Sequence, residues 1–229
     1  MLLYSLMSTL FVVATPIGNL EDITFRAVRI LKEVDIIASE DTRQTRILLT
    51  KYNIKFKQLI SCRARNEVAS AKNIVKLLGQ GFSVAYVSDA GTPAVSDPGT
   101  RLVSMVRKEG FKIVPLPGAS AVTTLISVAG MGGKGFLFEG FLSPKAMKRR
   151  RRLQKLLESG MIFVIYESPY RIIELCENLD KLCPNRNIFV GRELTKKFEE
   201  YIFGKAYEVL SMLSVMDRIR GEFTVLVGI

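Results

Sequence analysis

The chain has 229 residues, 48% of them hydrophobic, and carries 33 Lys and Arg against 22 Asp and Glu, a net charge of +11. That apolar content is enough for one large core or two ordinary ones and excludes a disordered chain, while charged residues interrupt every apolar run before the roughly 20 residues of a membrane span. The absence of histidine excludes imidazole as ligand or base, and Cys62, Cys176 and Cys183 fit neither a disulfide framework nor a zinc site, as in a reducing cytoplasm.

Met1 to Ala14 is apolar enough to resemble the centre of a secretory signal but lacks the basic start. A buried first strand over Leu10–Ala14, stopped by Thr15-Pro16, explains the same residues, with Met7 as an alternative initiator. A tight turn through Pro16, Ile17 and Gly18 follows, and Asp22 or Thr24 caps a helix over Thr24–Glu33 with Ala27, Val28, Ile30 and Leu31 on one face. The second strand, Ile36–Ala38, runs into Ser39-Glu40-Asp41-Thr42-Arg43, where two carboxylates, a hydroxyl and a guanidinium meet at a strand end. This segment reads equally as a helix start capped by Asp41 or Thr42. Arg63, Arg65, Asn66 and Glu67 form another polar cluster ahead of a helix over Val68–Leu78.

The third strand, Val84–Val87, leads into Ser88-Asp89-Ala90-Gly91-Thr92-Pro93-Ala94-Val95-Ser96-Asp97-Pro98-Gly99. Two prolines and two glycines among small polar residues fix such a backbone and let a ligand approach it closely, with Asp89 or Asp97 available to an ammonium or a ribose hydroxyl. Asp97 is also the expected N-cap of the next helix, with Pro98 as its first residue. After a fourth strand, Ile113–Leu116, Pro117-Gly118 marks a boundary between domains 1–117 and 118–229. A small-residue helix, Ala119–Ala129, is then broken by Gly130, Gly132 and Gly133.

Ser143-Pro144 opens a helix with Lys145, Lys148, Arg149, Arg150, Arg151 and Arg152 in its first turns. Cations there oppose the helix dipole by ~0.3–1 kcal/mol each, a penalty that a bound phosphate reverses. Strands over Met161–Tyr166 and Ile188–Val190 lead into Tyr166-Glu167-Ser168-Pro169-Tyr170-Arg171 and Arg192-Glu193-Leu194-Thr195-Lys196-Lys197, and Glu222–Val227 forms a last strand. The alternation of strands and helices is an α/β pattern in both halves. Neither G-x-G-x-x-G nor a P-loop is present, which disfavours nucleoside triphosphate hydrolysis. The net charge fits a polyanion such as nucleic acid, and equally a small substrate with several carboxylates.

Thr15 to Leu20, Ser39 to Arg43, Ser88 to Gly99 and Arg192 to Lys196 together resemble the tetrapyrrole-methylase superfamily, most closely its ribosomal RNA branch. The resemblance implies two α/β domains holding S-adenosylmethionine in the cleft between them, usually in a homodimer. It implies 2′-O-methylation of a cytidine ribose in the decoding centre of 16S ribosomal RNA. Carried onto this chain, the cofactor residues are Pro16, Ile17, Asp89, Thr92, Val95, Ser120, Ala121, Tyr166, Leu194, Thr195, Phe223 and Thr224. Relatives usually carry a histidine before Asn66-Glu67, where this chain has Ser61 to Arg65. If that histidine is a proton acceptor in the relatives, this chain uses another group or is altered in activity. Glu40, Asp41 and Glu67 are the expected acceptors of the hydroxyl proton, a strong base being helpful rather than obligatory. Arg43, Arg63, Arg65, Asn66, Lys196 and the basic helix at Lys145, Lys148, Arg149 and Arg150 are the expected substrate contacts. A methylase of a tetrapyrrole or other small acidic metabolite, and a non-enzymatic RNA-binding assembly factor, are the alternatives.

Overall fold

The computed structural model describes residues 7–131, 135–215 and 219–229. In the first half, β1 (Thr9–Val13), β2 (Ile36–Ser39), β3 (Gln58–Ser61), β4 (Val84–Val87) and β5 (Lys112–Leu116) form a parallel sheet in the order β3-β2-β4-β1-β5. Strands buried on both faces must be apolar along their length, which is why β1, β2 and β4 stand out in the sequence. β3 lies at the edge with only two apolar residues and is not among the expected strands.

Four helices cover this sheet: α1 (Phe25–Glu33), α2 (Thr42–Lys51), α3 (Glu67–Gly79) and α4 (Thr100–Lys108). Ala27, Ile30 and Leu31 of α1 and Leu49 of α2 pack with Phe11, Val13, Ile37 and Ala85 on one face. Ala71, Ile74 and Leu78 of α3 and Leu102 and Val106 of α4 pack with Leu10, Ile36, Val84 and Tyr86 on the other. The chain thus leaves β1 towards β2 over one face and leaves the neighbouring β4 towards β5 over the opposite face. Connections diverge between β1 and β4, and an open α/β sheet takes its ligand at such a point, beyond the carboxyl ends of the strands.

Thr24 caps α1, its hydroxyl accepting from the Ala27 N–H at 3.1 Å. The expected cap of α4 is corrected: the helix starts at Thr100 behind Gly99, so Asp97 is not its N-cap and Pro98 not its first residue. The Pro98 carbonyl instead accepts from the Ala94 N–H at 3.1 Å and closes the preceding loop.

The second half contains α5 (Ala121–Ala129), β6 (Phe136–Phe141), α6 (Ala146–Glu158), β7 (Ile162–Glu167), α7 (Ile172–Leu182), β8 (Asn187–Arg192), β9 (Glu200–Lys205), α8 (Ala206–Ser214) and β10 (Phe223–Val227). The sheet order is β6-β7-β10-β8-β9, with β6 and β7 parallel and the other pairs antiparallel. Leu153 and Leu156 of α6, Leu175 and Leu179 of α7, and Val209 and Leu213 of α8 bury one face of this sheet with Phe163, Ile165, Val190 and Val225. On the opposite face, α5 brings Leu125 so near β8 that a Cβ at Gly191 would lie 2.7 Å from Leu125 Cδ1.

The two compact units divide between Ser120 and Ala121, a few residues beyond Pro117. Gly118 packs so closely on Ala14 that an added Cβ would approach its Cβ to 2.9 Å, and the Thr92 hydroxyl donates to the Ala119 carbonyl at 3.3 Å. Those contacts hold the segment after Pro117 to the first unit. Gly130 ends α5 in a left-handed conformation, while Gly132 and Gly133 lie outside the described residues. Among the described residues, no helix is long and apolar enough to cross a membrane.

Candidate functional site

Because the first sheet is parallel, the expected loops of this unit all leave its strands at one edge. At the switch point, the Thr15 N–H donates to the Gly91 carbonyl at 2.9 Å and the Gly91 N–H to the Thr15 carbonyl at 3.0 Å. The Thr15 hydroxyl donates to the Ser88 carbonyl at 3.2 Å, and the Ser88 hydroxyl to the Gly91 carbonyl at 3.1 Å. These bonds tie the Thr15–Leu20 and Ser88–Gly99 loops together. Pro16 is buried beneath them, and Ile17 Cγ2 would lie 3.4 Å from a Cβ at Gly91.

Backbone strain is concentrated in the loops the sequence singles out. Among the described residues, the non-glycine positions with positive φ are Ser8, Asn53, Ala94, Ser96, Glu193 and Thr195. Four of these six fall in the Ser88–Gly99 and Arg192–Lys197 loops. Such conformations cost of order 1–3 kcal/mol each and persist only where the surroundings enforce them, commonly at ligand clamps.

Glu40, Asp41 and Arg43 stand at the end of β2, beside the Ser88–Gly99 loop. The Asp41 N–H donates to the Asp89 carboxylate at 2.8 Å, and the Asp41 side chain caps α2 through the Arg43 N–H at 2.9 Å. Arg43 Nε also donates to Asp41 at 3.0 Å, and these bonds hold the Asp41 carboxyl well below the usual carboxylate range. Arg63, from the loop after β3, adds a smaller attraction of the same sign. Glu40 behaves oppositely: partial burial, reinforced by the negative charge of Asp89, raises its pKa above the ordinary 4.5. Two adjacent carboxylates thus have their affinities for a proton pushed apart.

Glu67 is the first residue of α3, and its Oε1 accepts from the N–H groups of Gly99, Arg101 and Leu102 at 3.0, 2.9 and 3.3 Å. It therefore supplies the acceptor that α4 lacks locally. Gly99 itself has φ +130, and a Cβ there would lie 2.8 Å from Tyr86 Cε1. Arg65 and Asn66 are exposed beside it, and the Asn66 side chain accepts from the Arg63 N–H at 3.0 Å.

In the second unit, Tyr166, Gly191 and Phe223–Thr224 are brought together by strand register, Thr224 lying between Tyr166 and Gly191. Phe138 and Phe141 flank the Tyr166 ring edge-on, and the buried Leu194 side chain packs against Gly191. The Thr195 N–H donates to Glu199 at 2.9 Å. Lys196 Nζ donates to Glu193 at 2.9 Å and to Glu222 at 3.0 Å. Although burial alone opposes its charge, these carboxylates raise its pKa. Glu222 belongs to no expected cluster, because its partners are distant in sequence.

The basic helix α6 exposes Lys148, Arg150 and Arg151, with Lys145 at its N-cap, while Arg152 forms a two-pronged pair with Glu139 at 2.7 and 2.6 Å. Arg149 is a correction to the expected substrate contacts: its side chain is 1% exposed and its guanidinium pairs with Glu174 of α7. Spacing explains this, since Arg149, Leu153 and Leu156 share the buried stripe of α6.

The family described as Tetrapyrrole (Corrin/Porphyrin) Methylases matches residues 9–210. The chain belongs to this family. It is 45% identical over 220 residues to the ribosomal RNA small subunit methyltransferase I of Borrelia garinii subsp. bavariensis, covering 96% of this chain and 98% of that protein. Its fold is shared with a cobalt precorrin-4 methyltransferase, at TM-score 0.72 and 14% identity over 96% of this chain and 95% of the other. A uroporphyrin-III C-methyltransferase from Thermus thermophilus, complexed with S-adenosylhomocysteine, matches at TM-score 0.62 and 16% identity over 95% and 96% of the two chains. In this tetrapyrrole methylase the fold is two α/β units.

Proposed function

We propose that this protein transfers a methyl group from S-adenosylmethionine to the 2′-oxygen of a cytidine ribose in the decoding centre of 16S ribosomal RNA. It acts on the small ribosomal subunit, in the cytoplasm and as a homodimer. The observation that carries the reading is the 45% identity, along nearly the full length of both chains, to a protein named for methylating small-subunit ribosomal RNA. The product-like ligand in a structure of the same fold supports the choice of donor.

The residues present fit that donor. Gly91, at φ +76, lets a ligand approach the backbone beside Ile17, and the exposed Asp89 carboxylate stands ready for an ammonium or a ribose hydroxyl. Pro16, Thr92, Val95 and Ser120 belong to the strand-end segments of the first unit, while Ala121, Tyr166, Leu194, Thr195, Phe223 and Thr224 of the second unit are assigned to the donor by the family resemblance alone. When bound, the donor's sulfonium supplies an electrophilic methyl group.

The chain's own work is to align the ribose oxygen, exclude water and accept one proton. Glu40 takes the proton, because its raised pKa makes it the more basic of the adjacent carboxylates. Asp41 fixes the start of α2 and orients Arg43 towards substrate, with Arg63 and Arg65 nearby for phosphate. Glu67 holds the cofactor loop rather than the proton. Lys145, Lys148, Arg150 and Arg151 hold RNA phosphates, and Lys196 positions a phosphate within its carboxylate pair. The test supplies isotopically labelled donor with small subunits, naked 16S RNA and a tetrapyrrole in parallel. Label in RNA is the expected result; label only in the tetrapyrrole would replace this reading with that of a small-metabolite methylase.

A further inference from the structure

We propose that Tyr170 is a stacking platform for an unpaired nucleobase of the RNA, a subsite that rests on the RNA reading above. Tyr170 follows β7, and its side chain is 95% exposed. An exposed tyrosine on a loose loop would mean little, but this turn is clamped. The Arg171 and Ile172 N–H groups both donate to the Ser168 carbonyl at 3.1 Å, with Pro169 setting the preceding backbone. The Glu167 carboxylate, 0% exposed, accepts through Oε1 from the Ser168 N–H at 2.7 Å and from Arg171 Nε at 2.9 Å, while its buried Oε2 has no hydrogen-bond partner among the described residues. Burying a charge is costly, and the hydrogen bonds that offset part of that cost all serve this solvent-facing turn. A ring presented on a rigid turn loses little entropy when a flat partner settles on it.

The charge around it specifies that partner. β6 and β7 run parallel, so α6 and α7 both begin at the same edge of the sheet, and the Arg149–Glu174 pair ties their first turns together. Lys145, Lys148, Arg150 and Arg151 are exposed in the first turns of α6. Cations that track phosphates beside an aromatic face that takes a base are the two components of single-stranded RNA recognition.

The sequence has no tryptophan, so Tyr170→Trp installs the only indole as a reporter. Titration with a short unstructured oligocytidylate is expected to quench its fluorescence at least about twofold, as direct ring stacking requires. A matched oligonucleotide with abasic sites should bind through charge without quenching. Tyr170→Ala should weaken oligonucleotide binding about tenfold, with Tyr170→Phe close to the parent. Calorimetric binding of S-adenosylmethionine should be unchanged in all three, which also reports that they fold. Equal quenching by the abasic strand, or parental RNA affinity in Tyr170→Ala, would overturn the proposal. Quenching that rises with protein concentration without RNA would assign the ring to a second copy of the chain and likewise overturn it. If small subunits are methylated while Tyr170 does not stack, only this subsite falls. If the ring stacks while no RNA is methylated, the subsite stands and the catalytic reading falls.

Discussion

Glu67→Ala removes one carboxylate oxygen that accepts three backbone N–H groups at the start of α4. Gly99 and Leu102 are buried, so two of those donors gain no water in exchange, whereas the exposed Arg101 N–H does. An orphaned buried donor costs about 1–3 kcal/mol, and a helix end relaxes in part, giving an expected loss of about 2–4 kcal/mol. For a chain of this size that corresponds to a melting temperature lowered by about 4–16 °C. Glu67→Gln keeps an acceptor oxygen and loses only the charge facing the helix dipole, about 1 kcal/mol or less. The loop between Gly91 and Gly99 loosens with the helix, so the alanine variant should show KM for the methyl donor raised about tenfold, a 1.4 kcal/mol effect, with kcat nearly kept and the glutamine variant largely restored. Thermal unfolding and initial methyl-transfer rates over a range of donor concentrations measure both. A glutamine variant that melts like the parent yet loses kcat as completely as alanine would refute this reasoning and make Glu67 the proton acceptor.

Burial and the charge of Asp89 raise the Glu40 pKa, and the protonated carboxyl cannot accept a proton, so the rate should fall as pH drops through a value above 4.5. Glu40→Gln should lower kcat about 100-fold with donor binding intact; an unchanged acid limb in that variant would exclude Glu40. In the first unit, burial opposes the charge of Asp35, but hydrogen bonds from Lys57 and Ser83 outweigh it and hold the pKa at about 2, below 3.8. Its stabilisation is therefore present above the unfolded value near 3.8 and lost as pH falls through about 2. Asp35→Asn should lower the urea midpoint at pH ~7 by an amount worth about 1 kcal/mol, and the difference should vanish in strong acid. Alanine at Lys148, Arg150 or Arg151 should each reduce the slope of log affinity for RNA against log salt by about 0.7, while Arg149→Met should leave that slope unchanged; a reduced slope for Arg149→Met would return it to the RNA face.

What the sequence made legible follows physical range. β1, β2 and β4 are buried on both faces and so announce themselves as apolar runs, whereas β3, β6 and β9 are edge strands whose mixed residues carry no such signal. Thr24 and Asp41 cap the helices they adjoin, and local rules find both. The cap of α4 escapes those rules because Glu67 lies 32 residues from Gly99. The same holds for Lys196, whose second carboxylate is Glu222, 26 residues away. Arg149 was legible through its helical spacing with Leu153 and Leu156, but its place in a run of cations pointed to a phosphate contact. The Ser88–Gly99 loop was visible from its glycines and prolines; the strain at Ala94 and Ser96 was not, since neither residue type announces a left-handed backbone.

Methylation at a cytidine 2′-oxygen is tested most directly by incubating small subunits with deuterated S-adenosylmethionine, digesting the 16S RNA and locating the label by mass spectrometry. Deuterium on the ribose of one decoding-centre cytidine, appearing about 100-fold more slowly when Glu40→Gln replaces the parent enzyme, is the predicted result. Label on a base, on a ribose elsewhere, or on no RNA at all would contradict it.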